Sequence, residues 1–340
     1  MTVQLRDPLA PPGGLVYHGI ERPWRLEDHI DRDHKGRPRI LLVDEQGRPT
    51  GEQATYTRVT TFIAGVDDKT NLQAWRRRQV AKGMATRPTV YAAQVAAAVG
   101  AEDERDILDN LTEEMEAVAG ARDGADLGTA FHALTERHDL GMPTPFMPDE
   151  IAADNREWVR LTRGLEMAFI EQFMVNDELR TGGTPDRIIA LRQPCPTCGG
   201  RYRILDLKTG RVDHFTLLYI AMQLSVYAHS RCYDHETGRR LDGMALCTCT
   251  GWVVNITVTT GRGELLTIPL ADGWHVAQTV IPPLRKARNI KVKATRVDVL
   301  AKHIAMANSR EELQALWVEA EDRWTEEHTD LAQQRLSQMA

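Results

Sequence analysis

The chain has 340 residues, 42% hydrophobic and 26% charged, with a formal net charge of −6. This is the composition of an ordinary globular protein with room for one large domain or two modest ones. The acidic balance excludes a wholesale polycation, so contact with nucleic acid has to come from local basic patches.

Two such patches occur, "WRRRQVAKG" at residues 75–83, which holds Arg76, Arg77 and Arg78, and "RKARNIKVKATR" at 285–296, with six basic residues and no acid. Each taken alone reads equally well as a solvated helix face. The N-terminal "MTVQLRDPLAPPGG" lacks the apolar core of a signal peptide, and no run approaches the roughly 20 apolar residues of a membrane span. A cytosolic location is therefore expected, the host cytoplasm if the chain is phage-encoded, with no membrane partner. Five cysteines, Cys195, Cys198, Cys232, Cys247 and Cys249, are an odd number, which favours thiols or metal ligands over a disulfide framework.

In chain order, residues 1–56 read as an N-terminal appendage whose "RILLVDEQGRPTGE" signals a hairpin. From Thr60 the pattern is helical, with Leu72, Trp75 and Val80 as candidate core contacts; "VYAAQVAAAVG" ends at Gly100 as a C-cap, and an acidic helix spans Asp103 to about Ala119. A long helix is expected from about Pro148 to Phe173, because Trp158, Leu161, Leu165 and Phe169 recur at helical spacing. The segment from Glu171 to Gly210 then reads as an antiparallel meander of three short strands, followed by a helix from Phe215 to Ser230 and the strands "WVVNITVT" and "ELLTIPL". Residues 301–340 form a helical tail with a capping box at Ser309 and Glu312 and a stripe of Leu313, Trp317, Ala320 and Trp324. The order implies a mixed α/β fold, a central mixed sheet flanked by helices, within a domain at 57–300.

"ILDLKTG" at 204–210 carries the chemistry. On a strand, Asp206 and Lys208 share one face while Leu205 and Leu207 share the other. Asp186, in "GGTPDRI" one strand earlier, lies where two acids at the ends of adjacent strands sit side by side, a repulsion that a cation relieves. Carboxylate oxygens with waters suit Mg²⁺ or Mn²⁺. Lys208 would polarise a water or hold a phosphate oxygen.

"TPD" followed by "LDLKTG" resembles the PD-(D/E)xK nuclease superfamily, and its surroundings look like the RecB-type exonuclease branch with its CRISPR-associated and phage members. "GTAFHALTE" at 128–136 resembles that branch's helix with a metal-binding histidine, here His132. Glu171 resembles the acid that precedes the catalytic strands, with Glu178 as a competing choice. "QLSVY" resembles the Gln-x-x-x-Tyr helix motif with Gln223 and Tyr227, and "RVTTFIAGVDDKTNLQAWRRR" looks like the lead-in of phage members. The resemblance spans residues 57–230 and implies a restriction-endonuclease-like core. It also implies a Mg²⁺ or Mn²⁺ dependent deoxyribonuclease acting on DNA ends or single strands in phage-type recombination, replication or repair. His132, Asp186, Asp206 and the Leu207 carbonyl would bind metal, Lys208 would activate water, and Gln223 with Tyr227 would steady the lysine or a DNA phosphate. A structure-selective endonuclease and a non-catalytic DNA-end binding protein are the alternatives, and a recombination or replication protein or a second copy of the chain are further partners the resemblance suggests.

Branch members with an iron–sulfur cluster carry a cysteine well before the histidine motif, and this chain has none before Cys195, so no such cluster is expected. "CPTCGG" instead resembles a zinc knuckle inserted at 193–201, for which Cys247 and Cys249 would complete four thiolates around structural Zn²⁺; a plain tight turn with reduced cysteines is the other reading.

Overall fold

The computed structural model describes residues 15–17, 20–22, 30–67, 69–210, 212–241, 243–294 and 296–339. The chain forms two compact units, Met1–Arg288 and Asn289–Ala340. In the first, β1 (Leu15–Tyr17) pairs with β2 (Ile20–Arg22), and β3 (Arg39–Val43) with β4 (Pro49–Thr55) makes the expected hairpin, turning at Gly47 with φ +75°. Next come β5 (Thr57–Arg58), α1 (Val59–Ile63), α2 (Thr70–Thr86), α3 (Pro88–Ala98) and α4 (Glu104–Val118). Two longer helices follow, α5 (Asp123–Asp139) and α6 (Asp149–Thr162).

The helix expected to run to Phe173 stops at Thr162. Gly164 takes φ +79°, the chain reverses, and Leu165 and Phe169 enter or flank β6 (Glu166–Ile170) instead of continuing the stripe of Trp158 and Leu161. Apolar residues four apart satisfy a helix face and, over so short a stretch, also one face of a strand. The expected three-strand meander is also divided. β7 (Met174–Asn176) and β8 (Thr181–Gly183) belong to one sheet, whereas β9 (Arg187–Ala190) and β10 (Tyr202–Lys208) belong to another.

After β10 come α7 (His214–Ala228), β11 (Arg231–Tyr233), β12 (Arg240–Leu241), and the antiparallel pair β13 (Thr250–Thr257) and β14 (Arg262–Pro269). The unit closes with α8 (Ala271–His275) and α9 (Ile281–Arg288). The fold is mixed α/β with two mixed five-stranded sheets, ordered β14-β13-β10-β9-β6 and β12-β11-β7-β8-β5. In the first, β10 pairs antiparallel with β9 and parallel with β13.

That first sheet is covered on both faces. Ile204 and Val253 pack with Met222 and Leu224 of α7 on one side, while Leu205, Leu207, Val254 and Ile256 pack with Phe131 of α5 and Trp158 of α6 on the other. The alternation along β10 therefore sends its leucines to α5 and α6 and its Asp206 and Lys208 toward α7. Ile40 of the β3–β4 hairpin and Tyr56, just after it, bury with Phe173, Val175 and Tyr233 against the second sheet.

Helices α2, α3 and α4 share a small core of Tyr91, Leu111 and Met115, with Val80 packed against it. Leu72 and Trp75, expected in a core, are instead 50% and 37% exposed on α2, whose buried positions are Gln79 and Gly83. In the second unit, α10 (Val299–Met306), α11 (Arg310–Glu319) and α12 (Glu326–Met339) bury Ile304 and Leu313. Ser309 Oγ accepts from the Glu312 N–H at 3.2 Å, but the Glu312 carboxylate returns to the N–H of Asn308 at 2.7 Å. Of the predicted stripe, Leu313 and Ala320 are buried, Trp324 packs on the core, and Trp317 is 47% exposed. Among the described residues no helix is long and apolar enough to cross a membrane.

Gly83 is where α2 crosses α4. A Cβ there would lie 1.9 Å from the Met115 carbonyl oxygen, a backbone atom that no rotamer change can move. Gly83→Ala gains about 1 kcal/mol of helix propensity but forces the helices apart, at about 1–3 kcal/mol. A lower melting temperature is expected by calorimetry; an unchanged or raised one contradicts this packing.

Candidate functional site

The site forms at the C-terminal end of β10, beyond the point where its antiparallel neighbour β9 begins. Leu205 is the last residue of β10 opposite β9, across from Arg187. Beyond it the Leu207 N–H, which has no β9 partner, donates to Asp186 Oδ2 at 2.7 Å. In an antiparallel ladder a residue's N–H and C=O face the same neighbour, so the Leu207 carbonyl is directed to the same side as the Asp186 carboxylate. Asp186 is thus held by the strand that carries Asp206.

Asp206 is 2% exposed. Its Oδ2 lies 2.7 Å from Lys208 Nζ, and its Oδ1 accepts from Gln223 Nε2 of α7 at 3.4 Å. Lys208 Nζ in turn donates to Gln223 Oε1 at 3.0 Å, so one glutamine bridges acid and lysine. From the other side of the sheet, His132 of α5 brings Nδ1 to 3.4 Å from Asp186 Oδ2. Helix α5 gets this close because Gly128, one turn before His132, leaves room for Thr209: a Cβ at Gly128 would lie 2.6 Å from Thr209 Oγ1.

The electrostatics follow from burial and crowding. Burial pushes the Asp206 carboxyl up to about 6, the Lys208 ammonium pulls it back, and the neighbouring Asp186 charge adds to the rise. Burial acts the same way on Asp186, but the His132 imidazole and the charges of Arg187 and Lys208 outweigh it and hold that carboxyl below its ordinary value. His132 and Lys208 are each disfavoured as cations by burial, yet both are raised, His132 by Asp186 and Lys208 by Asp206. Two acids and two bases therefore set one another's protonation.

Glu171 sits in a left-handed conformation with φ +50° at the end of β6, its N–H donating to the Asp186 carbonyl at 3.0 Å and its carboxylate 3.4 Å from Arg187 Nη1. Glu178 lies in the β7–β8 connection of the other sheet and accepts from Gln278. Tyr227, one helical turn beyond Gln223, is buried in the core, its hydroxyl against Gly183. Arg76 is engaged by both oxygens of Glu116 on α4, while Arg77 and Arg78 are exposed on α2. In the second basic stretch, Arg285 donates to Thr57 and Arg288 to the Gly65 carbonyl.

Three residues that carry no motif complete the support. Arg187 is 1% exposed; its Nε donates to Asp139 Oδ2 at 2.6 Å, its Nη1 to the Asp186 carbonyl at 2.7 Å, and its guanidinium lies over Trp158. Asp139, near the end of α5, also accepts from Trp158 Nε1 at 3.1 Å, so one ion pair ties α5, α6 and β9 together behind Asp186. The signal was available in the sequence: period-two alternation puts Arg187 on the face of Ile189, a core residue, and a buried arginine needs a partner. On β13, opposite Lys208, Asn255 turns its amide nitrogen to the carbonyls of Lys208 at 3.1 Å and Gly210 at 2.8 Å.

A second constellation lies at the other end of β10. The thiols of Cys195, Cys198, Cys247 and Cys249 all fall within 4.8 Å of one another and could bind a metal ion such as Zn²⁺. Backbone N–H groups of Cys198 and Thr197 lower the Cys195 thiol, and those of Gly200 and Thr248 overcome burial to bring Cys198 down to about 6. Cys232 lies apart on β11 beside Met244.

Neither a scan against protein-family models nor a search of the curated proteins found a match to this chain.

If Arg187 latches the site, Arg187→Ala leaves Asp139 buried without a counter-ion and should cost about 3–5 kcal/mol in urea denaturation. Arg76→Ala, at a solvated pair, should cost below about 1 kcal/mol. Equal effects of the two substitutions would refute the latch.

Proposed function

We propose that this protein is a divalent-metal-dependent deoxyribonuclease with a PD-(D/E)xK core of the RecB type, acting as an exonuclease in phage-type recombination, replication or repair. The observation that carries the reading is the convergence, at one end of one sheet, of Asp186, Asp206, Lys208, Gln223 and His132 from α5, β10, α7 and the approach to β9. They come from four separate stretches of the resemblance, Asp206 and Lys208 sharing one, and the fold gathers all four at one place.

The donor set fits Mg²⁺ or Mn²⁺. Two carboxylates, the Leu207 carbonyl and an imidazole make an oxygen-rich site of the kind these ions prefer. Burial chiefly, and the Asp186 charge in addition, raise the Asp206 carboxyl, and a bound cation would favour its charged form. Asp186, Asp206, the Leu207 carbonyl and His132 would hold the ion, which when bound supplies Lewis-acid stabilisation of the charge that develops on a phosphodiester.

The chain's own residues supply the rest. Lys208, kept charged by Asp206, presents an ammonium donor to a water or phosphate oxygen at the same end of the strand. Gln223 holds that ammonium from one side and the carboxylate from the other, fixing the distance between acid and lysine. His132 orients Asp186 in addition to serving as a donor. In hydrolysis the water oxygen forms the new P–O bond, the P–O bond to the leaving nucleotide breaks, and the water proton leaves to a base in the cluster. The exposed Arg77 and Arg78 offer phosphate contacts, whereas Arg76 is committed to Glu116.

The test is digestion of end-labelled linear DNA, single- and double-stranded, beside closed circles, with Mg²⁺, Mn²⁺ or EDTA. Cleavage of linear DNA that needs the metal is expected, with circles spared. Lys208→Ala should slow it by about 10²–10⁴-fold, and Asp206→Ala should abolish it, each with an unchanged circular dichroism spectrum. Full activity in purified Asp206→Ala protein would sink the assignment, and cutting of closed circles would favour the endonuclease.

A further inference from the structure

The four-cysteine cluster differs from the carboxylate site in chemistry, place and surroundings. Cys195 and Cys198 lie in the β9–β10 connection and Cys247 and Cys249 just before β13, so the cluster sits where β9 ends and where β10 and β13 begin. Along β10, Tyr202 to Asp206 is four residues, about 13 Å at the rise of a strand.

We propose that these cysteines form a closed tetrathiolate Zn²⁺ centre that pins the β9–β10 turn to the start of β13 and so fixes the register of the parallel β10–β13 pair.

Geometry supports four ligands around one ion. A tetrahedron with Zn–S bonds of 2.3 Å has S···S edges of about 3.8 Å. Cys198 Sγ and Cys247 Sγ are 3.7 Å apart, and all four sulfurs lie within 4.8 Å. The 3.7 Å separation is far beyond the roughly 2.05 Å of a disulfide, and all five cysteines are free thiols. Four soft sulfur donors select Zn²⁺ over the Mg²⁺ or Mn²⁺ suited to the carboxylates, and a site whose four positions are all filled by protein is structural.

The backbone is shaped around the cluster. Cys195 N–H donates to the Gly200 carbonyl and Gly199 N–H to the Cys195 carbonyl, both at 2.8 Å, closing a tight turn in which Gly199 takes φ +72°. Gly200 then meets the second cysteine pair: a Cβ there would lie 2.5 Å from the Cys247 Cα. Cys247 N–H donates to the Tyr202 carbonyl at 2.7 Å, and the Cys249 carbonyl accepts from Leu270. Yet the turn buries little apolar surface. Gln193, Pro194, Pro196, Thr197 and Gly199 are all exposed, so side-chain packing does not account for the convergence.

The position gives the centre its use. Parallel strands cannot be joined by a tight turn, and the connection from Lys208 to Thr250 carries α7, β11 and β12 before it returns. Closing such a long loop costs entropy, which the free energy of metal binding to the folded site would offset. With Cys247 and Cys249 fixed to the turn before Tyr202, the first residues of β13 meet β10 in the register that puts Val253 beside Asp206 and Asn255 beside Lys208.

The test begins with full-length protein purified without added metal. Elemental analysis should give about one zinc per chain, released in step with modification of four thiols by a mercurial reagent. Cobalt-substituted protein should show the sulfur-to-cobalt charge-transfer and intense d–d absorption of tetrahedral thiolate coordination. Cys198→Ser and Cys249→Ser, at the more accessible sulfurs, should lose zinc and melt at lower temperature. Asp206→Asn should keep its zinc, which separates this centre from the nuclease reading. Should the cysteine variants fail to fold, the zinc content and mercurial titration of the unmodified protein decide alone. Cooperatively folded protein without zinc, iron in place of zinc, or zinc retained by both cysteine variants would overturn the proposal.

Discussion

Strand β10 carries the constraint on which the rest depends: seven residues must present apolar side chains to helices on both faces while pairing with β9 on one edge and β13 on the other. Alternation fixes which residues go where. Leu205 and Leu207 are spent on α5 and α6, so Asp206 and Lys208 can face only α7, and the α7 residue they meet is Gln223. Because β9 begins only at Arg187, the last residues of β10 are left unpaired on that edge, and Asp186 fills the gap by accepting the Leu207 N–H. Open α/β sheets bind ligands at the carboxyl ends of their strands for the same reason, since backbone groups there have no ladder partner.

Charges in such a place are costly, and their arrangement shows how the fold bears them. Asp206 and Arg187 are both almost fully buried, yet each has a partner of opposite sign within hydrogen-bonding distance. The two pairs differ in what surrounds them. Around Arg187 the guanidinium is engaged: Asp139, Glu171, a carbonyl and the face of Trp158 hold it, and the cluster acts as a fastener between α5, α6 and β9. Around Asp206 a second acid stands close by and adds to the rise that burial causes in its carboxyl. A fold selected for stability alone would replace such a group with an apolar one. Its place at the open end of a strand supports the proposed cation site.

Much of this was legible in the sequence because it rests on local periodicity. The faces of Asp206 and Lys208, the helix that carries Gln223 and Tyr227, the hairpin at 39–55 and the β13–β14 pair all follow from patterns local in the chain. The convergence of Cys247 and Cys249 on "CPTCGG" was legible for another reason: an odd set of cysteines with a C-x-x-C pair reads as metal ligands more readily than as a disulfide framework. What stayed hidden needed contacts distant in the chain. The break at Gly164 was masked by apolar spacing that suits helix and strand alike, and the assignment of β7 and β8 to a second sheet depends on pairing with β11 and β5. Leu72 and Trp75 looked like core residues because apolar residues three apart mark a helix face, but α2 meets α4 farther along, at Gly83, and the two side chains near its start stay largely exposed. Arg187 lacked a motif, and only its strand partner Ile189 betrayed its burial.

The central claim is that Asp186, Asp206 and His132 form one divalent-cation site, distinct from the thiolates. Calorimetric titration of Mn²⁺ into the zinc-loaded protein tests it most directly. The account predicts saturable Mn²⁺ binding that is lost in Asp206→Asn and Asp186→Asn and weakened in His132→Ala, with zinc content unchanged in all three. Mn²⁺ binding of equal affinity in Asp206→Asn and the unmodified protein would contradict it.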